Sequence, residues 1–519
     1  MENAKAILKR HKYSVVKDIE QRGVQTAVLA TGDEDGKLYM IQKHKGGRNE
    51  MISLVQEMNA VREMKLPFTV QYKESFQENN ILYVVMDYCE EDASQKIKNK
   101  RDTGEHFPED QILDWFVQIC IALKHIHDNK IRYEDINPKN ILFTKYGTLR
   151  LRDFVFSRHL QRTSESLKSS RRPLKYLSPE ILGGQPSDEK SDIWSLGCVL
   201  YELCMLEPAF PEGTPEDVIS RILHGPYPSV SGRFFRDLRA LVNELQQRER
   251  PSASEILRKP FILQFLHKQV KNTVEELQEK VTELKQMADD LERVHFGTTV
   301  GSLVGGVVGA AGDHLYSWAH SGPLHSGGVS DRDGVGIGVG WLGGVTGAAS
   351  NITSMVKERT NRSAFQNIIT EFQEKMEKIV VYTQAISGGL EAVEQDSSSE
   401  NPQLSPAELA EAGTRIGRGL GGIGELVRVT QVATIGRVAA QSARVVRTAE
   451  VVTGVFSALF LALDVYFIVS DSRELHAINQ ETANSSRGRS KSETRKFIQT
   501  VRDTSVKLQE HVDDLRKMA

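Results

Sequence analysis

The chain has 519 residues, 39% of them hydrophobic, and a formal net charge of −3. That length implies two to four domains. The near balance of charge gives no global nucleic-acid signal, and the hydrophobic share suits a folded chain. The four cysteines, Cys89, Cys120, Cys198 and Cys204, all lie in the first half, and none sits at metal-ligand spacing. They argue against a disulfide framework and for a reducing compartment. The first residues, MENAKAILKRHKY, lack the apolar run of a signal peptide. The 40 glycines crowd Gly297 to Gly347 and Gly413 to Gly424, so the second half obeys a different logic from the first.

Residues 12 to 45 alternate turns with β-branched pieces (SVVKDI, TAVLA, LYMIQK), which predicts a small antiparallel sheet. A helix is predicted over Glu50 to Met64, then two more strands, VQYKESF and ILYVVMDY. Glu109 to Asp128 is apolar at helical spacing and predicts a core helix. Ile131 to Arg158 sets two short apolar pieces around a loop carrying Asp135 and Asn140, with Asp153 after a turn at Gly147. Ser187 to Leu206 predicts another buried helix, and Pro251 to Phe265 closes this half.

The runs QYKESFQENNILYVVMDYCE, EDQILDWFVQICIALKHIHD, YLSPEIL and KSDIWSLGCVLYELC closely resemble the NIMA-related (Nek) serine/threonine protein kinases, from Lys12 to about Phe265. The resemblance implies a β-rich N-lobe, a helical C-lobe and an ATP cleft between them. Asp135, Asn140 five residues on and Asp153-Phe154 form the skeleton of the catalytic loop and metal-binding segment. Asp135 is then the residue that orients a substrate hydroxyl, and Asn140 and Asp153 are the ligands for the Mg²⁺ that accompanies ATP. Asp192 falls on a structural anchor of the family.

Other positions depart from the pattern. The lysine that grips the phosphates falls on Gln42, which is neutral and cannot ion-pair with the helix glutamate, Glu57. Lys43 is adjacent, but neighbouring strand residues face opposite sides; Arg22 is the other candidate cation. The three glycines of the phosphate loop read Glu20, Arg22 and Gln25, leaving only Gly23. Tyr133-Glu134-Asp135 stands for His-Arg-Asp, so Glu134 inverts the charge of the arginine that pairs with a phosphorylated activation segment. Asn137 replaces a lysine, Val155 a glycine, and Arg172-Pro173 a Gly-Thr pair. One lost electrostatic contact costs roughly 3–4 kcal/mol of transition-state stabilisation, and here several are lost together. The expectation is a degenerate site, with binding of ATP and Mg²⁺ left open. Active kinase, nucleotide binder without transfer, and protein-interaction scaffold all remain readings. Asp135 and Asp153 also hydrogen-bond the loop backbone in inactive kinases, so their presence alone does not decide.

In the second half, Val274, Leu277, Val281, Leu284, Ala288 and Leu291 form a heptad seam, which predicts a bundle helix or a dimeric coiled coil. Gly301, Gly305 and Gly309, and again Gly336, Gly340 and Gly344, recur every four residues. Such faces let helices approach closely and are common in membranes. Each tract is marginal for a span of roughly 20 residues; the pair suits a helical hairpin, or else flexible loop. Phe365, Ile369, Phe372, Met376, Ile379, Ile386, Leu390 and Val393 mark a long amphipathic helix. Arg415, Arg418, Arg428, Arg437, Arg444 and Arg447 interleave with apolar residues. That pattern suits an anionic lipid surface or a solvated bundle face. Val451 to Val469 is the most hydrophobic run, broken by Asp464, which at mid-bilayer would cost about 2.5–3.5 kcal/mol. Phe497, Val501, Leu508, Val512 and Leu515 give a last amphipathic helix.

From Asn272 to Met518 this half resembles apolipoprotein L, on HFGTTVGSLVGG, the glycine-rich pair and LALDVYFIVSDSRELHAINQETANS. The resemblance implies an all-helical, lipid-associating domain, some members of that family inserting into membranes. The expected fold class is α+β: an extension over 1–11, a bilobal kinase fold over 12–265, and an all-α helical domain with a glycine-rich apolar hairpin over 266–519. Expected partners are lipids or a membrane surface through the second half and proteins through the kinase fold, with no nucleic acid. The expected setting is cytoplasmic, with peripheral or conditional membrane association.

Overall fold

The computed structural model describes residues 2–20, 26–33, 36–45, 47–152, 173–211, 213–321, 364–391, 440–455, 459 and 483–518. The chain divides into two compact units, Met1–Leu266 with Ala385–Ile435, and His267–Gln384 with Gly436–Ala519. The fold class is α+β, strands giving way to helices along the chain.

The first unit opens with α1 (Glu2–Arg10), then β1 (Tyr13–Glu20), β2 (Thr26–Gly32), β3 (Leu38–Lys45), α2 (Arg48–Met64), β4 (Tyr72–Glu78) and β5 (Ile81–Asp87). The strands form one antiparallel sheet in the order β1-β2-β3-β5-β4. β4 and β5 are joined by Asn79 and Asn80 alone, both at positive φ. Two left-handed residues match the twist of a hairpin, and asparagine tolerates that conformation well.

Alternation along β3 puts Tyr39 and Ile41 on one face with Val28, Ala30, Tyr83 and Val85. That face is covered by α1, whose Ile7 and Leu8 are buried in the same cluster. The sequence had offered only an extension over 1–11; the polar residues ENAK and KR around one short apolar pair hid a docking helix. Its polar end is tied down as well. Lys9 pairs with Asp33 at 3.0 Å and Arg10 with Glu78 at 2.7 Å, while the His11 ring stacks on Phe76 at 3.7 Å between centroids.

The helical part of this unit begins at β6 (Glu91–Asp92) and α3 (Ala93–Thr103). Asp92 caps α3 by accepting from Gln95 N, and Gly104 ends it at φ +69°. The predicted core helix is α4 (Glu109–Asp128), with Ile112, Phe116, Ile119, Leu123 and Ile126 fully or nearly fully buried. A short 3₁₀ turn (Pro138–Asn140) leads into β7 (Ile141–Phe143) and β8 (Leu149–Leu151), which form with β6 a small second sheet in the order β6-β7-β8. Next come α5 (Pro179–Leu182), α6 (Glu189–Met205), α7 (Pro215–His224), α8 (Arg236–Leu245) and α9 (Ala253–Leu257). α6 starts in a capping box between Asp188 and Ser191 and is buried along most of its length, Ile193, Trp194, Leu196, Val199, Leu200 and Leu203 among the buried residues. Gly197 lets it lie against α8, since a Cβ there would sit 2.9 Å from Leu245 Cβ.

The helix α10 (Pro260–Ser321) enters the second unit at His267. This unit also holds most of α11 (364–391), with α12 (440–455) and α13 (Ala483–Met518). The heptad residues from Val274 to Leu291 are buried, as are Phe365, Ile369, Phe372, Met376 and Ile379 of α11 and Phe497, Val501, Leu508, Val512 and Leu515 of α13. Cross-helix pairs give the directions. Lys375–Glu276 at 2.6 Å and Lys280–Glu371 at 3.0 Å run α11 antiparallel to α10. Gln278 and Gln509 exchange amide hydrogen bonds of 2.7 and 2.5 Å, and Arg502 pairs with Asp289 and Glu292, so α13 is antiparallel too. The seam is therefore closed within the chain, as a bundle. The first glycine tract, Gly301 to Gly309, has helical backbone. The second tract, Arg415 to Arg437 and most of Val451 to Val469 lie outside the described residues. Among the described residues no helix is long and apolar enough to cross a membrane.

Leu8→Ala should cost about 2–5 kcal/mol, the range for a fully buried leucine. Hydrogen exchange on the full chain should show lost protection in β1 to β3 with the α10–α13 amides unchanged. Unchanged β1–β3 protection would mean that α1 is not part of the lobe.

Candidate active site

The loop after α4 hangs on one carboxylate. Asp192, in the first turn of α6 and 1% exposed, accepts from His127 Nε2 at 2.8 Å, Tyr133 N at 2.9 Å and Glu134 N at 2.7 Å. Its place as the family's anchor thus has a physical content: it collects donors that would otherwise be buried unpaired. Glu134 adopts φ +67°, a left-handed conformation uncommon for such a side chain, and its N–H is held there by Asp192. The Tyr133 hydroxyl donates to the Arg152 carbonyl at 2.8 Å, and Arg152 N donates to the Asn140 carbonyl at 2.7 Å. These bonds fix the loop against the strand end that leads to position 153.

Asp135 projects from this loop into two asparagine amides. Asn137 Nδ2 donates to its Oδ1 at 2.8 Å, and Asn140 Nδ2 donates to its Oδ2 at 2.8 Å. Both also donate to its carbonyl, at 3.1 and 2.8 Å. Asn137 Oδ1 accepts from Lys139 N at 3.0 Å, capping the 3₁₀ turn, so the orientation of this amide is set from both ends. Asn137 is 4% exposed. Where the kinase pattern has a long cation, this chain has a short neutral strut folded back on Asp135.

Gln42 lies in β3 between Ala27 and Val84 and is 9% exposed. Lys43 pairs across to Tyr83 and shares the α1-covered face of the sheet, opposite to Gln42. Burial lowers the pKa of its ammonium, and Asp18 works against that shift. The two-residue period of the strand keeps Lys43 from replacing the missing cation. Glu57 is half-buried in α2. Asp153, Arg22, Gly23, Gln25, Val155, Arg172 and the side chain of Glu20 lie outside the described residues.

Glu134 is satisfied locally. Its Oε1 accepts from Ser187 Oγ at 2.8 Å and lies 3.3 Å from Arg132 Nε. Glu180 of the Ser-Pro-Glu motif pairs bidentately with Arg250, at 2.9 and 2.8 Å, and accepts from Ser191 Oγ at 2.7 Å. Burial alone would raise the Glu180 pKa; the Arg250 and Ser191 hydrogen bonds outweigh it and hold the carboxyl at about 2. Sequence reasoning missed Arg250, His127 and Ser187, whose partners lie far along the chain and follow no spacing rule, and Arg132, which meets both Glu134 two residues on and the distant Ser187.

The metal side and the phosphate side of the site differ in fit. Asn140 gives its amide nitrogen to Asp135, and its remaining side-chain atom, Oδ1, is of the hard-oxygen type that a Mg²⁺ would take. Among the described residues no three acidic, histidine or cysteine side chains gather as a metal site. The phosphate side does not fit: Gln42 and Asn137 bring no charge to it.

The protein kinase domain family matches residues 21–262, and the Apolipoprotein L family matches residues 233–495, just over half of the chain. The chain belongs to the apolipoprotein L family. Its first half is a Nek-like serine/threonine kinase domain. It is 45% identical over 264 residues to serine/threonine-protein kinase Nek1 of Mus musculus, covering 50% of this chain and 22% of that protein. It is 39% identical over 281 residues to Nek5 of Homo sapiens, covering 53% and 39%. For Nek3 of Mus musculus the figures are 34% over 249 residues, covering 47% and 48%. The chain spans less than half the length of each of these relatives. The kinase family implies use of ATP and Mg²⁺. The two family matches overlap over 233–262, where α8 and α9 pack into the first unit.

The Glu180–Arg250 pair gives a pH dependence of definite sign. A carboxyl held below its unfolded value stabilises the fold fully above that value and loses the contribution as pH falls. Urea midpoints of the full chain should therefore drop between the ordinary 4.5 and about 2, and Glu180→Gln should flatten that part of the drop. An identical profile in the variant would remove the pair from the account.

Proposed function

We propose that the kinase fold, residues 12–265, is a pseudokinase acting as a regulatory or scaffold module, coupled to a lipid-binding, membrane-associating region, residues 266–519. The observation that carries the reading is Asn137: a buried neutral amide, bound at both ends, stands where a cation would meet the transferring phosphate. Phosphoryl transfer depends on positioning and charge neutralisation, and Gln42 leaves the second cation missing too. The retained Asp135 has a structural use, as the acceptor that organises Asn137 and Asn140. Asn140 and Asp153 would be the residues to hold Mg²⁺, so nucleotide binding without useful transfer fits this reading. One alternative is a weakly active kinase recruited to membranes, which the retention of Asp135, Asn140, Asp153 and Glu57 favours; the other is a lipid-binding or channel-forming protein.

Full-length protein with Mg²⁺-ATP and a generic protein substrate should give no transfer above an Asp135→Ala control. Transfer that this substitution abolishes would make the weak-kinase alternative the correct one. Gln42→Lys with Asn137→Lys should tighten ATP binding measured by calorimetry, because the pair returns two cations to the phosphate side.

Membership of the apolipoprotein L family supports the lipid-binding half of the proposal. So does α12, where Arg444 and Arg447 are exposed beside Ala443 and a half-exposed Val451. Cations interleaved with small apolar residues suit an anionic headgroup layer. The full chain should float with phosphatidylserine-containing vesicles, less so at high salt and less in an Arg444→Gln, Arg447→Gln variant. Absence from vesicles of either charge would sink the lipid reading. Dye release from the same vesicles separates surface binding from channel formation.

A further inference from the structure

Beside the catalytic loop lies a small polar clasp made by Arg132, Glu134 and Ser187. Ser187 follows an exposed turn, Gly183 to Pro186, in which Gly184 has φ +79°, and it precedes Asp188, the N-cap of α6. Its Oγ donates to Glu134 Oε1 at 2.8 Å. Arg132 Nη1 donates to the same Oγ at 3.0 Å and to the Ser187 carbonyl. One hydroxyl thus sits between an anion and a cation, on a loop open to solvent; the Arg132 side chain is 47% exposed. The Nek resemblance puts at position 134 the arginine that receives a phosphate. Here that position is acidic, and the cation stands two residues earlier, facing a serine.

We propose that Ser187 is a phosphorylation site, and that its phosphate takes Arg132 away from Glu134. A separate serine kinase, directed by the acidic Asp188 and Glu189 that follow, transfers the γ-phosphoryl group of ATP to Ser187 Oγ. The Oγ–P bond forms, the bond from the γ-phosphorus to the bridging oxygen of ADP breaks, and the hydroxyl proton goes to that kinase's base and then to solvent. The phosphate brings about −1.5 to −2 charges. Three consequences follow from the distances. Glu134 loses the Ser187 hydroxyl as a donor and meets a like charge. Arg132, already within hydrogen-bond reach of Oγ, gains a charge-assisted partner. The phosphate also sits at the N-terminus of the 17-residue α6, where negative charge is favoured. The side-chain tether from Glu134 to the entrance of α6 is therefore released, one residue from Asp135, while the backbone of Glu134 stays on Asp192. This inference does not depend on whether the kinase fold transfers phosphate itself.

The test uses the full chain with ATP and an acid-directed serine kinase, the site being read by peptide mass spectrometry. Phosphate is expected on Ser187 and absent in Ser187→Ala; failure to label Ser187 overturns the site. Phosphoserine installed at 187 by codon reassignment then tests the exchange of partners without a transferring kinase. Amide exchange over 131–136 should quicken about fivefold, as local opening becomes easier. Glu134→Gln should remove most of that increase, and Arg132→Gln should enlarge it. Unchanged exchange in the wild type, or the same response in all three proteins, overturns the switch.

Discussion

A buried carboxylate cannot be left alone, and Asp192 is not. Three donors converge on it, two of them backbone N–H groups of the catalytic loop. Hydrogen bonds to a charged group contribute about 1.5–3 kcal/mol each, enough to hold Glu134 in a left-handed conformation that it would not adopt unaided. Everything downstream follows from that anchoring. With the backbone at 133 and 134 fixed, Asp135 is presented to Asn137 and Asn140, and the Tyr133 ring is buried with its hydroxyl on Arg152. The order of the loop rests on this scaffold of hydrogen bonds, with Asp192 at its centre.

Substitutions in the site share one direction. Gln42 and Asn137 each remove a positive charge, and Glu134 turns one negative. Two of them are bonded into the fold: Asn137 caps a 3₁₀ turn and Glu134 binds Ser187 and Arg132, while Gln42 occupies a nearly closed strand position. A site that had merely decayed would be expected to carry unpaired groups, since burying them costs free energy. Asn137 and Glu134 are instead bonded to their neighbours.

Much of this was legible in the sequence because period and burial coincide. Glu109 to Asp128 reads as a core helix from its apolar spacing, and α4 has those bounds. The seam from Val274 to Leu291 and the stripes from Phe365 and Phe497 are legible for the same reason. Gln42, Asn137 and Glu134 could be named in advance, since they occupy fixed offsets within strong motifs. What was not legible depends on distance along the chain. Arg250 meets Glu180 seventy positions away, and Ser187 meets Glu134 across fifty-three. No spacing rule joins such pairs. The α1 helix escaped for a different reason: two apolar residues are too few to show a period, although they are enough to plug a sheet.

That plug also affects how the protein can be handled. The face beneath α1 carries Val28, Ala30, Tyr39, Ile41, Tyr83 and Val85, all buried with Ile7 and Leu8 in place. A chain trimmed to begin at Lys12, the first residue of the kinase resemblance, would present that face to water as one contiguous apolar patch. Patches of that kind drive self-association. Precipitation of such a fragment would then reflect the missing helix, and it would say nothing about whether the kinase fold itself is stable.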